Sequence, residues 1–169
     1  MCVEPIKSVF DRLLSNRPNC INLNCAIDEK DGTADFIYNK GYTEMISGLK
    51  DHYDPRHHIR MKNEIHNFGG ESNVITVNTK KLSSVFDENN INHVHYLSID
   101  VEGAEFNVIK SIDFNKVFID VIDFENNYPD KSLEIIHYLI DKHYVLVPFK
   151  CLDIMMIHID SAFFTDKYI

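Results

Sequence analysis

The stretch Tyr96 to Phe106, YLSIDVEGAEF, constrains this chain more than any other. A largely apolar run, Val94 to Ile99, stops at Asp100, and two further acids, Glu102 and Glu105, follow around Gly103 and Ala104. Such a run reads as a buried strand that ends, turns and enters a helix over Val101 to Ile112. Open α/β sheets bind ligands at the carboxyl ends of their strands, so Asp100 stands where a ligand would be. The acids equally suit a helix start: Asp100 is a good N-cap, and Glu102 and Glu105 in a first turn would complement the helix dipole. On the residues alone both roles stay open.

The rest of the chain supplies partners for that strand. Met1 to Glu4 reads as a strand end, with Pro5 suited to the first position of a helix whose apolar stripe is Ile6, Val9, Phe10, Leu13 and Leu14. Asn19 to Ile27 alternates as a strand, Asp28 to Gly32 is a polar turn, and Thr33 to Tyr38 reads as the return strand. Residues 41–73 are the least regular part and are expected to be an insertion or lid, with a basic cluster at Arg56, His57, His58, Arg60 and Lys62. Val74 to Asn78 is a short strand, and Thr79 is expected to cap the helix carrying Leu82, Val85 and Phe86. Val117 to Phe124 is another apolar strand, Asp130 is expected to cap a helix over Lys131 to Lys142, and Tyr144 to Phe149 with Asp153 to Ile159 forms a closing antiparallel hairpin. Strands alternating with amphipathic helices imply an α/β fold with a largely parallel sheet covered on both faces.

Composition narrows the functions. At 169 residues the chain is expected to be one domain. A formal net charge of −9 argues against a general nucleic-acid binder, because phosphate neutralisation needs surplus Lys and Arg. No apolar run approaches the roughly 20 residues of a membrane span, so no membrane role is expected. Glu4 and Asp11 interrupt any signal-peptide core. The four cysteines, Cys2, Cys20, Cys25 and Cys151, make no Cys-x-x-Cys pair, and the nine histidines are scattered. No metal site is therefore expected, and reduced structural thiols suit a cytoplasmic setting.

The string Ile99-Asp100-Val101-Glu102-Gly103-Ala104-Glu105-Phe106, after a hydrophobic strand, resembles the FkbM-type methyltransferases. Three further pieces resemble that family in the right order: Cys2-Val3-Glu4-Pro5, Phe124-Glu125-Asn126-Asn127, and Leu152-Asp153 before Ile154 to Ile159, with Ser161 to Phe164 as the tail. The resemblance implies a Rossmann-like methyltransferase sheet, mostly parallel, with S-adenosyl-L-methionine as cofactor and a small-molecule acceptor, most simply a sugar hydroxyl. It implies that Glu4 holds the ribose, that Ala26, Ile27 and Asp28 edge the adenine, and that Asp100, Val101 and Glu102 face the methionine end. Methyl transfer needs a nucleophile held about 3 Å from the sulfonium carbon, and a hydroxyl acceptor gains from a general base. Asp100 is the first candidate base and Glu125 the second, with Asn126 and Asn127 placed to orient the acceptor. An Asp-x-Glu pair with Glu125 would also suit a hard cation, although cap and dipole roles explain Glu102 without one.

What the resemblance lacks is equally informative. The family's first strand and its Gly-containing loop have no counterpart, since no Gly precedes Gly32. That strand would lie between those ending at Glu4 and Asp100, so two central edges are expected to be unpaired. Each buried unpaired backbone group costs about 1–3 kcal/mol, against a whole-domain stability of about 5–15 kcal/mol. The expectation is therefore a domain truncated at its first strand, with an upstream segment or a second chain supplying it. The alternative is a non-catalytic relative that keeps the fold for binding.

Overall fold

A computed structural model describes residues 1–148 and 153–165. The expectations for Phe149, Cys151 and Leu152 lie outside the described residues. The chain is a mixed α/β structure whose described strands form three sheets.

The first sheet is a parallel pair, β1 (Cys2–Val3) with β2 (Asn22–Leu23). Between them runs α1 (Lys7–Asn16), which starts after Ile6 rather than at Pro5; its apolar stripe is only half covered, with Leu14 exposed. The expected strand from Asn19 to Ile27 is broken in two. Asn24 sits at the break and donates from Nδ2 to the carbonyls of Glu4 and Pro5, a side-chain bridge that replaces ladder pairing there.

The second sheet holds β3 (Ala26–Ile27), β4 (Gly32–Lys40), β5 (Gly48–Leu49) and β6 (Glu71–Lys80) in the order β3-β6-β4-β5. β6 pairs parallel with β3 and antiparallel with β4, so the return strand lies beside β6 rather than beside β3. Residues 41–73, expected to be irregular, carry two short 3-10 turns, β5 and the start of β6. They also hold the fourteen-residue helix α2 (Pro55–Phe68). Its boundaries have local causes. Asp54 accepts from the Arg56 N–H as N-cap, Pro55 opens the helix, and Gly69 at φ 75° ends it.

The third sheet holds β7 (His93–Ile99), β8 (Phe118–Glu125), β9 (Tyr144–Leu146) and β10 (Asp153–His158) in the order β7-β8-β10-β9. β7 and β8 run parallel, and β10 is antiparallel to both β8 and β9, so the closing hairpin is present. The helix α3 (Leu82–Glu88) has Lys81 at its N-cap, because Thr79 is buried within β6 and paired across the sheet. Likewise α5 (Pro129–Ile140) begins after Tyr128, and Asp130 lies in its first turn instead of capping it. The main core packs α3, α5 and the helix α4 (Glu105–Lys110) against β7, β8 and β10, around Val85, Ile109, Ile119, Ile122, Phe124 and Leu139. No helix among the described residues is long and apolar enough to cross a membrane.

The strand read as buried is the largest departure: the edge expected to lack a partner has none among the described residues, but it is open rather than buried. Among the described residues β7 pairs with β8 alone, and Tyr96 in its middle is 53% exposed. Its other edge faces β1 across a groove of about 690 Å³ that β1 and every residue of β7 except His95 line. A groove of that size admits water, at about 30 Å³ a molecule, so those backbone groups are hydrated rather than buried and unpaired. The tips of β1 and β7 meet in one cleft, described below, so the two strands point the same way.

The turn after β7 is the second departure. α4 begins at Glu105, not Val101, and Asp100 to Ala104 form a loop in which Glu102 has φ 57° and Gly103 φ 112°. The Glu105 carboxylate accepts from the Gly103 N–H at 2.9 Å, so Glu105 is the acid that braces the turn, while Asp100 and Glu102 stand outside the helix. A Cβ at Gly103 would lie 3.0 Å from the His52 carbonyl oxygen. Gly103→Ala is accordingly expected to lower stability by about 1–3 kcal/mol, read as a shifted urea midpoint; an unchanged midpoint would show that the loop relaxes freely.

Candidate functional site

The carboxyl ends of β1, β3 and β7 open on one cleft of about 340 Å³. Glu4 and Pro5 come from the tip of β1, Ala26 and Ile27 from β3, and Asp100, Val101 and Glu102 from the loop after β7. Ile6, Phe36 and Leu49 give it an apolar wall, and Arg12 and Glu44, which pair at 3.5 Å, edge it. The volume falls in the range of small-molecule sites, about 300–1,000 Å³.

Glu4 accepts from the Ile6 N–H on Oε1 at 2.7 Å, so it fixes the chain's entry into α1 while lining the cleft. Burial pushes its carboxyl above the ordinary range, and the Ile6 hydrogen bond opposes part of that rise. Asp28 does not line the cleft. Its Oδ1 takes His52 Nε2 at 3.0 Å and the Glu29 N–H at 2.8 Å.

Beside the cleft the acids gather. One carboxylate oxygen each from Asp100, Glu102 and Glu125 lies within 4.8 Å of the others. Crowding by the cleft walls, then the neighbouring Glu102 and Glu105 charges, raises the Asp100 carboxyl. Glu125, at the tip of β8, is pushed up to about 7, chiefly by burial and then by Glu102, Asp100 and Glu105. Asn127 donates to the Glu125 carboxylate at 2.5 Å and reaches toward Glu102 at 3.5 Å. Asn126 is half-buried, with no described partner for its Oδ1.

One member of this cluster is not legible in the sequence. His57 of α2 is fully buried, and its Nε2 stands 3.0 Å from Glu102 Oε2, close enough for an ion pair but off the line a hydrogen bond needs. Its ring packs edge-on against Tyr128. Arg56 clamps the helix start. It pairs with Asp54 and Asp130, each at 2.9 Å, and lies 3.7 Å over the Tyr128 ring. Within the sequence His57 is one of several histidines in a basic stretch. Only the Asp54-Pro55 start and the Gly69 stop, read together as helix bounds, would have placed it on an inward face.

A cluster of three carboxylates in a partly dry site suits a cation, metallic or organic, and also stores protons. Because the folded Glu125 holds its proton up to about pH 7 and the unfolded one only to its ordinary value near 4.5, stability falls as pH rises through that window. Glu125→Gln should remove this loss. The variant is expected to gain on the order of 1 kcal/mol over the parent at pH 8, after allowance for solvent screening, and nothing near pH 4.5. Urea unfolding at the two pH values checks it, and an equal effect at both would contradict the assignment.

A family model described as the Methyltransferase FkbM domain matches residues 2–146. No curated protein and no solved structure matches the chain. The matched span runs from β1 through β9 and takes in the cleft and the whole acid cluster, so the chain belongs to the FkbM methyltransferase domain family.

Proposed function

We propose that this chain is an S-adenosyl-L-methionine-dependent methyltransferase acting on an oxygen nucleophile of a sugar or other small molecule. The observation that carries the reading is the one cleft lined by the tips of β1, β3 and β7, with Glu4, Asp100 and Glu102 all in its lining. The residues present fit the cofactor. Glu4 offers a carboxylate to a ribose diol, because one carboxylate can accept from two adjacent hydroxyls. Ala26, Ile27, Phe36 and Leu49 offer small and apolar surface to a purine ring. Asp100 and Glu102 favour positive charge. When bound, S-adenosyl-L-methionine supplies a methyl group activated by its sulfonium charge.

The chain's own part is positioning and proton management. Glu125, poised near neutrality, is suited to take the proton from an acceptor hydroxyl, because a general base works best with a pKa close to the operating pH. Asp100 is the second candidate for that role. Asn127 holds the Glu125 carboxylate, and with Asn126 it offers polar groups to the acceptor. A second reading, a non-catalytic domain that keeps the fold for binding, is favoured by one observation: the groove between β1 and β7 leaves the floor of the sheet open. A strand from an upstream segment or a second chain, seated parallel between those two edges, would complete the sheet beside the cleft.

Calorimetric titration with S-adenosyl-L-methionine separates the readings. Saturable one-to-one binding is expected, weakened by about 1–3 kcal/mol in Glu4→Ala, the scale of a lost charge-assisted hydrogen bond. Absence of saturable binding would leave the non-catalytic reading. A cation placed beside Glu125 lowers its proton affinity, so binding at pH 6.5 should release protons in the parent and not in Glu125→Gln. Titration in buffers of different ionisation enthalpy reads this directly, and identical release in both proteins would remove Glu125 from the site.

A further inference from the structure

The opposite end of β7 carries a second constellation. His93 and His95 are two residues apart on one strand and so project from the same face. Asp120 of β8 lies in register with His95 on that face, because Val94 pairs with Ile119 and Tyr96 with Val121. One ligand atom each from His93, His95 and Asp120 lies within 4.8 Å of the others. From His95 to Asp100 is about 16 Å along the strand, so this group is separate from the acid cluster.

The three residues are prepared unequally. Asp120 is 2% exposed, and its two oxygens have different partners. Ser161 Oγ donates to Oδ1 at 2.6 Å, and His93 Nε2 donates to Oδ2 at 2.7 Å. The serine therefore orients the carboxylate from behind and leaves Oδ2 facing the imidazoles, as an outer hydrogen bond does for a metal-bound carboxylate. His95 packs at 4.6 Å from the His93 ring and at 6.1 Å from Phe163, and no described residue hydrogen-bonds its ring nitrogens. A hydrogen-bonded His93–Asp120 pair accounts for two of these residues. It leaves the second imidazole, held beside the pair and facing solvent, without a task.

We propose that His93, His95 and Asp120 form a binding site for a divalent transition-metal ion of the zinc class. Two imidazoles and one carboxylate are ligands that such ions prefer, and three protein ligands leave a coordination position open on the exposed side. Binding moves the proton of His93 Nε2 to Nδ1 of the same ring, so that Nε2 and Asp120 Oδ2 both face the ion. It opens that 2.7 Å contact to about 3.3 Å, the edge of a tetrahedron with bonds of about 2.0 Å. Because Ser161 bonds Asp120 and Phe163 packs on His95, an ion there would also fasten the segment after β10 to the β7–β8 pair.

The test uses the whole protein, stripped with a chelator and titrated with Zn²⁺ by calorimetry at pH 7.5, with Co²⁺ absorption in the visible as a second readout. One-site binding is expected, with the intense bands of four-coordinate Co²⁺. His95→Ala removes an exposed ring with no hydrogen bond to the fold. It should weaken binding at least tenfold and abolish the Co²⁺ bands, while the melting temperature of the metal-free protein stays unchanged. Asp120→Asn keeps an acceptor for Ser161 and should lose binding as well. Zn²⁺ bound equally well by the parent and His95→Ala would overturn the proposal, since the cysteines and the acid cluster are common to both. So would a parent protein that shows no binding up to about 1 mM.

Discussion

Three carboxylates held within a few ångströms of one another repel, and much of this fold is arranged around bearing that repulsion. Asp100, Glu102 and Glu125 come from the loop after β7 and the tip of β8, which the parallel register sets side by side. The surroundings answer the charge locally. His57 stands against Glu102, Asn127 donates to Glu125, and the Gly103 N–H is turned onto Glu105. These groups soften the repulsion without removing it; burial first, and then the remaining repulsion, keeps the Glu125 carboxyl high. A site that keeps such a cost in its resting state is one in which an arriving cation or a departing proton finds a ready partner.

The scaffold that makes this possible is distributed. The loop from Asp100 to Ala104 needs Glu102 and Gly103 in left-handed conformations, and Gly103 passes close under the His52 carbonyl. His52 in turn holds Asp28 at the end of β3. Arg56 ties the start of α2 to α5 through Asp54 and Asp130, and so fixes His57 in the cluster. The segment between β4 and β6 is thus built into the wall of the site. Three of its buried residues, Ile46, Tyr53 and Met61, form a small core of their own with Ile37.

The open groove between β1 and β7 gives the sheet system its unusual shape. β7 carries an apolar sequence suited to an interior strand, yet it has one bonded neighbour among the described residues and exposes Tyr96. The same groove separates the two strand tips that carry Glu4 and Asp100. Whatever sets the distance between those strands therefore also sets the width of the cleft above them.

The sequence by itself determined the order of strands and helices outside residues 41–73, the closing hairpin and the acids at the strand tips. Each of these follows from short-range rules of apolar runs, alternation, Pro and Gly, which act over a few neighbouring residues. It also carried the family, which the match over residues 2–146 bears out. Tertiary structure decided the rest. It split Asn19 to Ile27 between two sheets through the Asn24 bridge, made a helix of residues 55–68, and moved the start of α4 to Glu105. It alone brought His57 to Glu102, and Asp120 into register with His95. Those meetings depend on strand register and on contacts between residues far apart in the chain. Local propensity cannot encode them, because it ends where the neighbouring residue ends.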